Sequence, residues 1–198
     1  MSINRSIVIH NLIRAGQLTA LTGVLALAAM TEGCSKSASP ADSLPPAAAL
    51  VFKGEGFLHN GNYPKLYTCD SSGISPGVSW ESVPTGTKTF AITMHHYPPT
   101  GDKHVYWVVY NIPADIRSIP AGFTGVYSYG INTVNGRNTY TPPCSQGPGA
   151  KVYILTLYAL QAQPVISKPA SQVTMDVLLD AIRTTKLDSA IMNVTYTR

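Results

Sequence analysis

Short runs of β-branched and aromatic residues recur along the chain after position 48, and Gly, Pro or Asn residues bound each run. Phe90, Ile92 and Met94 alternate with smaller residues, which predicts a strand with one strongly apolar face. The run from Tyr106 to Tyr110 is apolar on both faces and predicts a strand inside a sheet. The sequence therefore predicts strands at Ala49–Phe52, Gly77–Trp80, Thr89–Met94, Val105–Asn111, Lys151–Ala159 and Met192–Thr197.

One segment near the C-terminus has the pattern of a helix. Thr174 can cap its first turn, and Asp176 suits the positive end of the helix dipole. The helix is predicted to run from Met175 to about Thr184, with a buried side at Val177, Leu178 and Ile182. Because a run of strands precedes a single helix, the pattern favours a mainly β fold, a β-sandwich with helical decoration, over alternating βαβ units.

The first 33 residues have the pattern of an export signal. Arg5 and Arg14 precede an uncharged apolar run, Leu18–Met30, that ends in small residues. A basic start followed by a short apolar run is typical of a signal peptide, and a transmembrane helix needs a longer run of about 20 apolar residues. We therefore predict a signal peptide at residues 1–33, with a buried N-terminal helix as the alternative.

Gly33 and Cys34 resemble the end of a bacterial lipoprotein signal, in which a small residue precedes a lipidated Cys. Thr31 and Glu32 are unusual neighbours, so ordinary signal-peptidase cleavage stays an alternative. Residues 34–48 are rich in Ser, Pro and Ala without an apolar period, which is typical of a flexible tether. We predict a lipid anchor at Cys34 on a membrane facing the periplasm, or otherwise a soluble periplasmic or secreted protein, with a folded domain at residues 49–198.

The cysteine count agrees with export, since the chain has three Cys residues. If Cys34 carries a lipid, Cys69 and Cys144 remain as an even pair in an oxidising compartment, where disulfides form. We expect these two residues to be bonded. Two buried free thiols are the alternative, because the sequence does not show whether the two Cα atoms approach closely enough.

The charge balance excludes one class of partner. The chain carries 14 Lys and Arg residues against 10 Asp and Glu residues, and charged residues make up only 12% of it. No basic run or arginine-rich helix accompanies this mild positive charge, so we expect no nucleic-acid binding. The 11 Tyr, 16 Gly and 15 Pro residues are consistent with a chain rich in strands and turns.

The order and spacing of several short motifs resemble one protein family. These motifs cover nearly all of the predicted domain: Tyr67-Thr-Cys-Asp70, Ser75-Pro76, Ser79-Trp80, Thr87-Lys88, Phe90-Ala91, Trp107-Val-Val109, Asn111-Ile-Pro113, Pro143-Cys144, Tyr158-Ala-Leu160 and Tyr196-Thr-Arg198. The chain resembles the phosphatidylethanolamine-binding protein family, in particular its bacterial Raf-kinase-inhibitor-like branch. The resemblance implies a two-sheet antiparallel β-sandwich with a small anion-binding pocket at one end. It also implies a binder of phosphorylated or phospholipid head groups, or a modulator of kinases or proteases, rather than an enzyme.

The chain departs from the family pattern at the expected pocket. The segment His95-His-Tyr-Pro-Pro-Thr-Gly101 replaces the family's Asp-Pro-Asp-x-Pro loop, and strand parity favours His96 over its neighbour at the Asp position. Tyr106 and Lys151 stand where the family has its two pocket His residues, whereas Tyr153 matches the family. The predicted ligand-binding residues are His95, His96, Tyr106, Lys151, Tyr153, Pro143 and Cys144.

These replacements make the predicted pocket more positive. Lys151 supplies a fixed charge with three donors, a His can donate in either protonation state, and Tyr hydroxyls are donors on rigid rings. We therefore expect a small anionic ligand, a phosphate or a phospholipid head group, and no cofactor. The absence of an Arg argues against bidentate planar recognition. The alternative is an envelope protein-interaction or inhibitor module whose protein target is unknown.

Two further chemistries are less consistent with the sequence. His95 and His96 are adjacent on a strand and point to opposite faces, so they do not easily bind one ion, and no metal site is expected. Ser75 near His96 would permit the weak acyl transfer of a hydrolase, but the chain has no Gly-x-Ser-x-Gly motif. We expect a binding protein rather than an enzyme. Asp70 is expected to fix its own turn through backbone hydrogen bonds.

Overall fold

The computed structural model describes residues 48–146 and 148–198. Within these ranges, nine β-strands form two sheets, and one α-helix packs against the larger sheet. Helix α1 spans Met175–Ile182, and short 3-10 helices lie at Lys65–Tyr67 and Ala170–Gln172. The strands are β1 Val51–Gly54, β2 Gly61–Asn62, β3 Val78–Glu81, β4 Thr89–His96, β5 His104–Pro113, β6 Ser118–Ile119, β7 Ser128–Tyr129, β8 Ala150–Leu160 and β9 Lys186–Thr197.

The strands of the two sheets run mostly antiparallel. The small sheet has the order β1-β3-β6, and the large sheet has the order β2-β9-β8-β4-β5-β7. Every neighbouring pair is antiparallel except β2 and β9, which pair in parallel over two residues of each strand. The predicted mainly β fold with two antiparallel sheets and a C-terminal helix is therefore confirmed, with this short parallel pair as an exception.

The apolar faces of the two sheets pack against each other to form the main core. Trp80 of β3 and Phe90 of β4 are both almost completely buried, and their ring centroids lie 5.1 Å apart. An aromatic pair of this kind contributes about 0.5–1.5 kcal/mol beyond the burial of its surface. Ile92, Met94 and Leu157 belong to the same cluster. The predicted apolar face of β4 is thus the face that meets the small sheet.

Helix α1 covers the opposite face of the large sheet. Leu178 and Ile182 of the helix are buried in one cluster with Ala91 of β4, whereas Val177 is only half-buried. The Thr174 hydroxyl accepts a hydrogen bond from the Val177 N–H at 3.2 Å, which is the predicted N-terminal cap. Because β4 has a packed layer on each side, all of its residues are buried.

Some element boundaries differ from the predicted ones. β9 begins at Lys186 rather than at Met192, because it pairs along the whole length of β8. Its first half is polar and partly exposed, so no apolar run in the sequence signals it. α1 ends at Ile182, before the predicted end near Thr184, and β1 starts at Val51, later than predicted.

The predicted signal peptide at residues 1–33, Cys34 and the tether up to residue 47 lie outside the described residues. Residues 48–50 lead into β1 without regular secondary structure. Along the part of the chain that the structure describes, no helix is long and apolar enough to cross a membrane.

A disulfide joins Cys69 to Cys144, with the two Cα atoms 5.2 Å apart. The Cys69 N–H also donates a hydrogen bond to the Pro143 carbonyl at 3.0 Å, so the backbones run side by side at this point. The disulfide links the turn that follows the 3-10 helix at Lys65–Tyr67 to the segment that leads into β8. The structure contains the expected bond rather than two free thiols.

Candidate functional site

Three neighbouring strands of the large sheet meet at one edge, where β4 ends and where β5 and β8 begin. A cavity of about 280 Å³ lies at this edge, and we call it the end cavity. Cys144, Ser145 and Gln146 form one side of it. The end cavity is lined by His96, Pro98, Pro99, His104, Tyr106, Cys144, Ser145, Gln146, Lys151 and Tyr153.

Five of the seven predicted ligand-binding residues line the end cavity, and two do not. His95 precedes His96 on β4, so its side chain points to the other face of the sheet, where its ring lies 5.0 Å from that of Tyr97. Pro143 is buried behind the lining, where its carbonyl accepts the Cys69 N–H. His95 and Pro143 are therefore removed from the set of residues that can contact a ligand in this cavity.

His95 has the surroundings of a neutral imidazole. It is buried, and its Nδ1 atom has no hydrogen-bond partner in the described ranges. Burial lowers the pKa of His95, and the charges of Lys103 and His96 lower it further, against a smaller opposing effect of Asp176. His95 is therefore uncharged at neutral pH and contributes to packing on the side of the sheet that carries α1.

His96 is held in the wall of the end cavity by one backbone contact. Its Nδ1 atom lies 2.8 Å from the Val152 carbonyl oxygen of β8. Because a carbonyl oxygen only accepts hydrogen bonds, Nδ1 carries the proton and Nε2 is the remaining ring nitrogen. A neutral His96 therefore offers an acceptor at Nε2, and only the protonated ring offers a donor there. His96 therefore donates in either protonation state, as expected, but in the neutral form its hydrogen bond goes to Val152 and not to a ligand.

Two tyrosines form the floor of the end cavity. The rings of Tyr106 and Tyr153 meet edge to face with centroids 5.4 Å apart. Tyr153 is fully buried, and its hydroxyl has no hydrogen-bond partner within the described parts of the chain. Burial raises the pKa of both Tyr106 and Tyr153, so both remain neutral phenols that can donate a hydrogen bond.

Lys151 supplies the positive charge of the end cavity. It lies half-buried on β8, opposite Tyr196 of β9. No Asp or Glu lines the cavity, and none of the ion pairs within residues 48–146 and 148–198 involves Lys151. An adjoining space of about 370 Å³ shares His96, Pro99 and Lys151 with the end cavity. A ligand at Lys151 therefore has room to extend beyond the end cavity itself.

The rim of the end cavity is tied to the last strand. The Tyr196 hydroxyl donates to Asp70 Oδ2 at 2.6 Å, and Arg198 Nε pairs with Asp70 Oδ1 at 2.9 Å. Arg198 Nη1 also donates to the Ser145 carbonyl at 3.3 Å. The sequence suggested that Asp70 fixes its own turn, but its carboxylate bonds to the end of the chain instead. The Thr68 hydroxyl accepts the Asp70 N–H instead, at 3.3 Å.

Sequence reasoning missed half of the residues that line the end cavity. His104 lies two positions before Tyr106 on β5, so strand parity was a signal for it. The other missed residues lie in loops without a strand period: Pro98, Pro99, Ser145 and Gln146.

Ser75 lines a different cavity from His96, so the structure does not bring together the proposed nucleophile and base. No group of three or more His, Cys, Asp or Glu side chains within the described ranges is arranged to bind a metal ion.

Comparison with known proteins identifies relatives of this chain. A profile of the phosphatidylethanolamine-binding protein family matches residues 53–197. A UPF0098 protein of Aquifex aeolicus is 35% identical over 130 residues, which are 63% of this chain and 75% of that protein. The UPF0098 protein YbhB of Escherichia coli is 35% identical over 122 residues, 58% of this chain and 70% of that protein. A UPF0098 protein of Chlamydia muridarum is 30% identical over 153 residues, 74% of this chain and 98% of that protein.

Solved structures show the same architecture. The crystal structure of CT736 of Chlamydia trachomatis, described as a phosphatidylethanolamine-binding protein homologue, superposes with a TM-score of 0.69 at 26% identity, over 76% of this chain and 98% of that one. The crystal structure of YbcL of Escherichia coli gives a TM-score of 0.67 at 22% identity, over 76% and 99% of the two chains, and shows the shared fold. The chain belongs to the phosphatidylethanolamine-binding protein family.

Proposed function

We propose that this protein is an exported binding protein that holds a small anion in the end cavity, either free phosphate or the phosphate of a phospholipid head group. Lys151 binds the anion by charge, the Tyr106 and Tyr153 hydroxyls donate hydrogen bonds to it, and His96 adds a donor when it is protonated. The observation that carries this proposal is the Lys151 ammonium in a cavity to which the described residues contribute no carboxylate. Membership of the family supports it.

The electrostatics of the end cavity favour an anion over a neutral or cationic ligand. A cation attracts an anion most strongly where no opposite charge neutralises it and where low-dielectric walls reduce screening by water. The Lys151 ammonium has three donors, and charge-assisted hydrogen bonds are roughly twice as strong as neutral ones. The buried Tyr153 hydroxyl, which has no partner in the described chain, would gain an acceptor from a bound oxyanion.

The tautomer of His96 makes anion binding dependent on pH. With Nδ1–H donating to the Val152 carbonyl, a neutral His96 turns only a lone pair at Nε2 toward a ligand. That lone pair repels an anion's oxygen atoms, whereas an imidazolium N–H attracts them. Because acid favours the imidazolium form, we expect the anion to bind more tightly at lower pH.

Calorimetric titration of sulfate and of glycerophosphoethanolamine into the protein tests this function. Sulfate keeps its charge between about pH 5 and pH 8, so a higher affinity at the lower pH reports on the protein. We expect this pH dependence to disappear in a His96→Gln variant and to persist in His59→Gln, which removes an exposed histidine outside the cavity. A His104→Gln variant separates the contribution of the second cavity histidine. Absence of saturable binding of both anions would refute the proposed function.

The proposed location rests on the sequence of the N-terminal segment. The basic start, the apolar run and the Gly33-Cys34 pair support export followed by lipidation of Cys34. We expect a Cys34→Ser variant to lose acyl labelling and to move from the membrane fraction to the soluble fraction of the cell envelope. A wild-type protein that is already soluble and unlabelled would exclude the anchor and leave secretion alone.

A further inference from the structure

A second cavity, of about 480 Å³, lies apart from the end cavity and shares none of its lining residues. We call it the aromatic cavity. Four separate parts of the chain form it: Gly73–Ser75, Trp107 of β5, the Gly122–Tyr129 region and Asn138–Tyr140. None of the side chains that line it carries a charge. The described lining of the aromatic cavity therefore offers no positive charge of the kind that Lys151 offers a phosphate in the end cavity.

Two pairs of rings form the walls of the aromatic cavity. Phe123 and Tyr127 are tilted against each other, with centroids 4.9 Å apart and an interplanar angle of 33°. Trp107 and Tyr140 meet edge to face, with centroids 6.0 Å apart at 86°. The Trp107 ring is almost completely buried, so the ring faces open to a ligand are those of the partly buried Phe123, Tyr127 and Tyr140. Rings of this kind provide broad apolar faces at a low cost in conformational entropy. Such faces suit the C–H face of a sugar ring or a flat aromatic ring.

Two buried hydroxyl groups in the lining have no hydrogen-bond partner among the described residues. Ser75 is only 6% exposed, and neither its Oγ atom nor the hydroxyl of Tyr129 has a partner within the residues that the structure describes. Folded proteins satisfy the large majority of buried polar groups, so an unpaired group in a cavity wall needs an explanation. A ligand with hydroxyl groups would provide partners, because a hydroxyl both donates and accepts.

One amide at the mouth of the aromatic cavity is already oriented. Asn138 Nδ2 donates to the Tyr129 carbonyl at 2.9 Å and to the Ala170 carbonyl at 2.7 Å. Both amide hydrogens are therefore used, and Oδ1 is the atom that can accept a hydrogen bond from a ligand. A polar group that is fixed before binding loses little freedom when the ligand arrives.

We propose that the aromatic cavity binds an uncharged sugar ring. Stacking surfaces next to hydroxyl and amide groups match a ligand with apolar C–H faces and a polar edge. The uncharged lining offers nothing to offset the loss of hydration of an ion. The volume lies within the range of about 300–1,000 Å³ that is usual for small-molecule sites. This site is independent of the anion in the end cavity and goes beyond the proposed function.

Tryptophan fluorescence of the full chain tests this proposal, because the buried Trp107 lies in the wall of the aromatic cavity while Trp80, the other Trp and equally buried, does not line it. Glucose, galactose and N-acetylglucosamine are the probes, with benzyl alcohol as an uncharged aromatic competitor. We expect saturable binding of at least one sugar. A linear oligosaccharide of that sugar, titrated separately, distinguishes the end of a glycan chain from a free monosaccharide.

Two variants locate the sugar within the molecule. Tyr129→Phe and Ser75→Ala each remove one oxygen atom that has no partner, so both are expected to fold as the wild type does. Each is expected to weaken sugar binding about three- to tenfold, the usual effect of one neutral hydrogen bond. Tyr153→Phe is the matched control, since it removes an unpaired buried hydroxyl from the end cavity, and it is expected to leave sugar binding unchanged. Binding of benzyl alcohol alone, binding of no probe, or equal sugar affinity in all variants would overturn the proposal.

Discussion

Replacing Lys151 by Ala is expected to weaken anion binding to the end cavity about ten- to a hundredfold. A charge-assisted hydrogen bond is worth about 1.5–3 kcal/mol, and Lys151 is the residue that brings a permanent positive charge to this cavity. The side chain is half-buried at the start of β8 and has no carboxylate partner in the described ranges, so its removal leaves no buried charge unpaired. The domain should therefore unfold at the same denaturant concentration as the wild type.

A matched variant separates this local effect from a change in net charge. Lys186 lies at the opposite end of the large sheet, at the start of β9, and is exposed. Lys186→Ala removes the same charge and should leave the affinity for sulfate and glycerophosphoethanolamine within about twofold of the wild type, since exposed charges beyond about 10 Å are largely screened by salt. Equal losses in the two variants would mean that Lys151 acts only through the overall field of the protein.

Removing the disulfide is expected to lower the free energy of unfolding by about 4 kcal/mol in a Cys69→Ala/Cys144→Ala double variant. The two residues are 75 positions apart, and in the chain-entropy account a cross-link over so long a loop strongly restricts the unfolded chain. The loss is a large part of the about 5–15 kcal/mol that is typical of a whole domain. Urea unfolding of the wild type and the double variant, fitted with the same slope, measures it.

Reduction of the wild type provides the control for this variant. A thiol reductant should bring the unfolding midpoint of the wild type down to that of the double variant and should leave the double variant unchanged. If unreduced wild-type protein already reacts with two equivalents of an alkylating reagent in denaturant, the bond does not form and the expected loss does not apply.

The longer elements of the fold were predictable because each carries its own pattern. The alternation of Phe90, Ile92 and Met94 identified β4 and the face that meets the small sheet, and Thr174 marked the first turn of α1. The two-residue strands β2, β6 and β7 are too short to hold a pattern, and the pairing of distant residues creates them. The polar first half of β9 was missed for the same reason, since its partner β8 determines it.

The candidate site was predictable only in part. Strand parity and the family resemblance together selected His96, Tyr106, Lys151 and Tyr153, which line the end cavity. Contacts between residues far apart in the sequence, such as the pairing of Asp70 with Arg198, leave no local signal. The aromatic cavity is a similar case, because its lining residues come from four separate segments that only the folded chain brings together.

Protonation has opposite consequences at the two adjacent histidines of β4, because alternation places their side chains in different surroundings. Burial lowers the pKa of His95, so its contribution to stability is complete above the ordinary imidazole value of about 6.5 and declines as the pH falls below it. An imidazolium at His96, in contrast, donates to the anion from Nε2. Acidification therefore makes the free protein easier to unfold while its ligand holds it more tightly. Unfolding midpoints with and without sulfate should consequently diverge as the pH is lowered, so that in an acidic environment the liganded form is the one that persists.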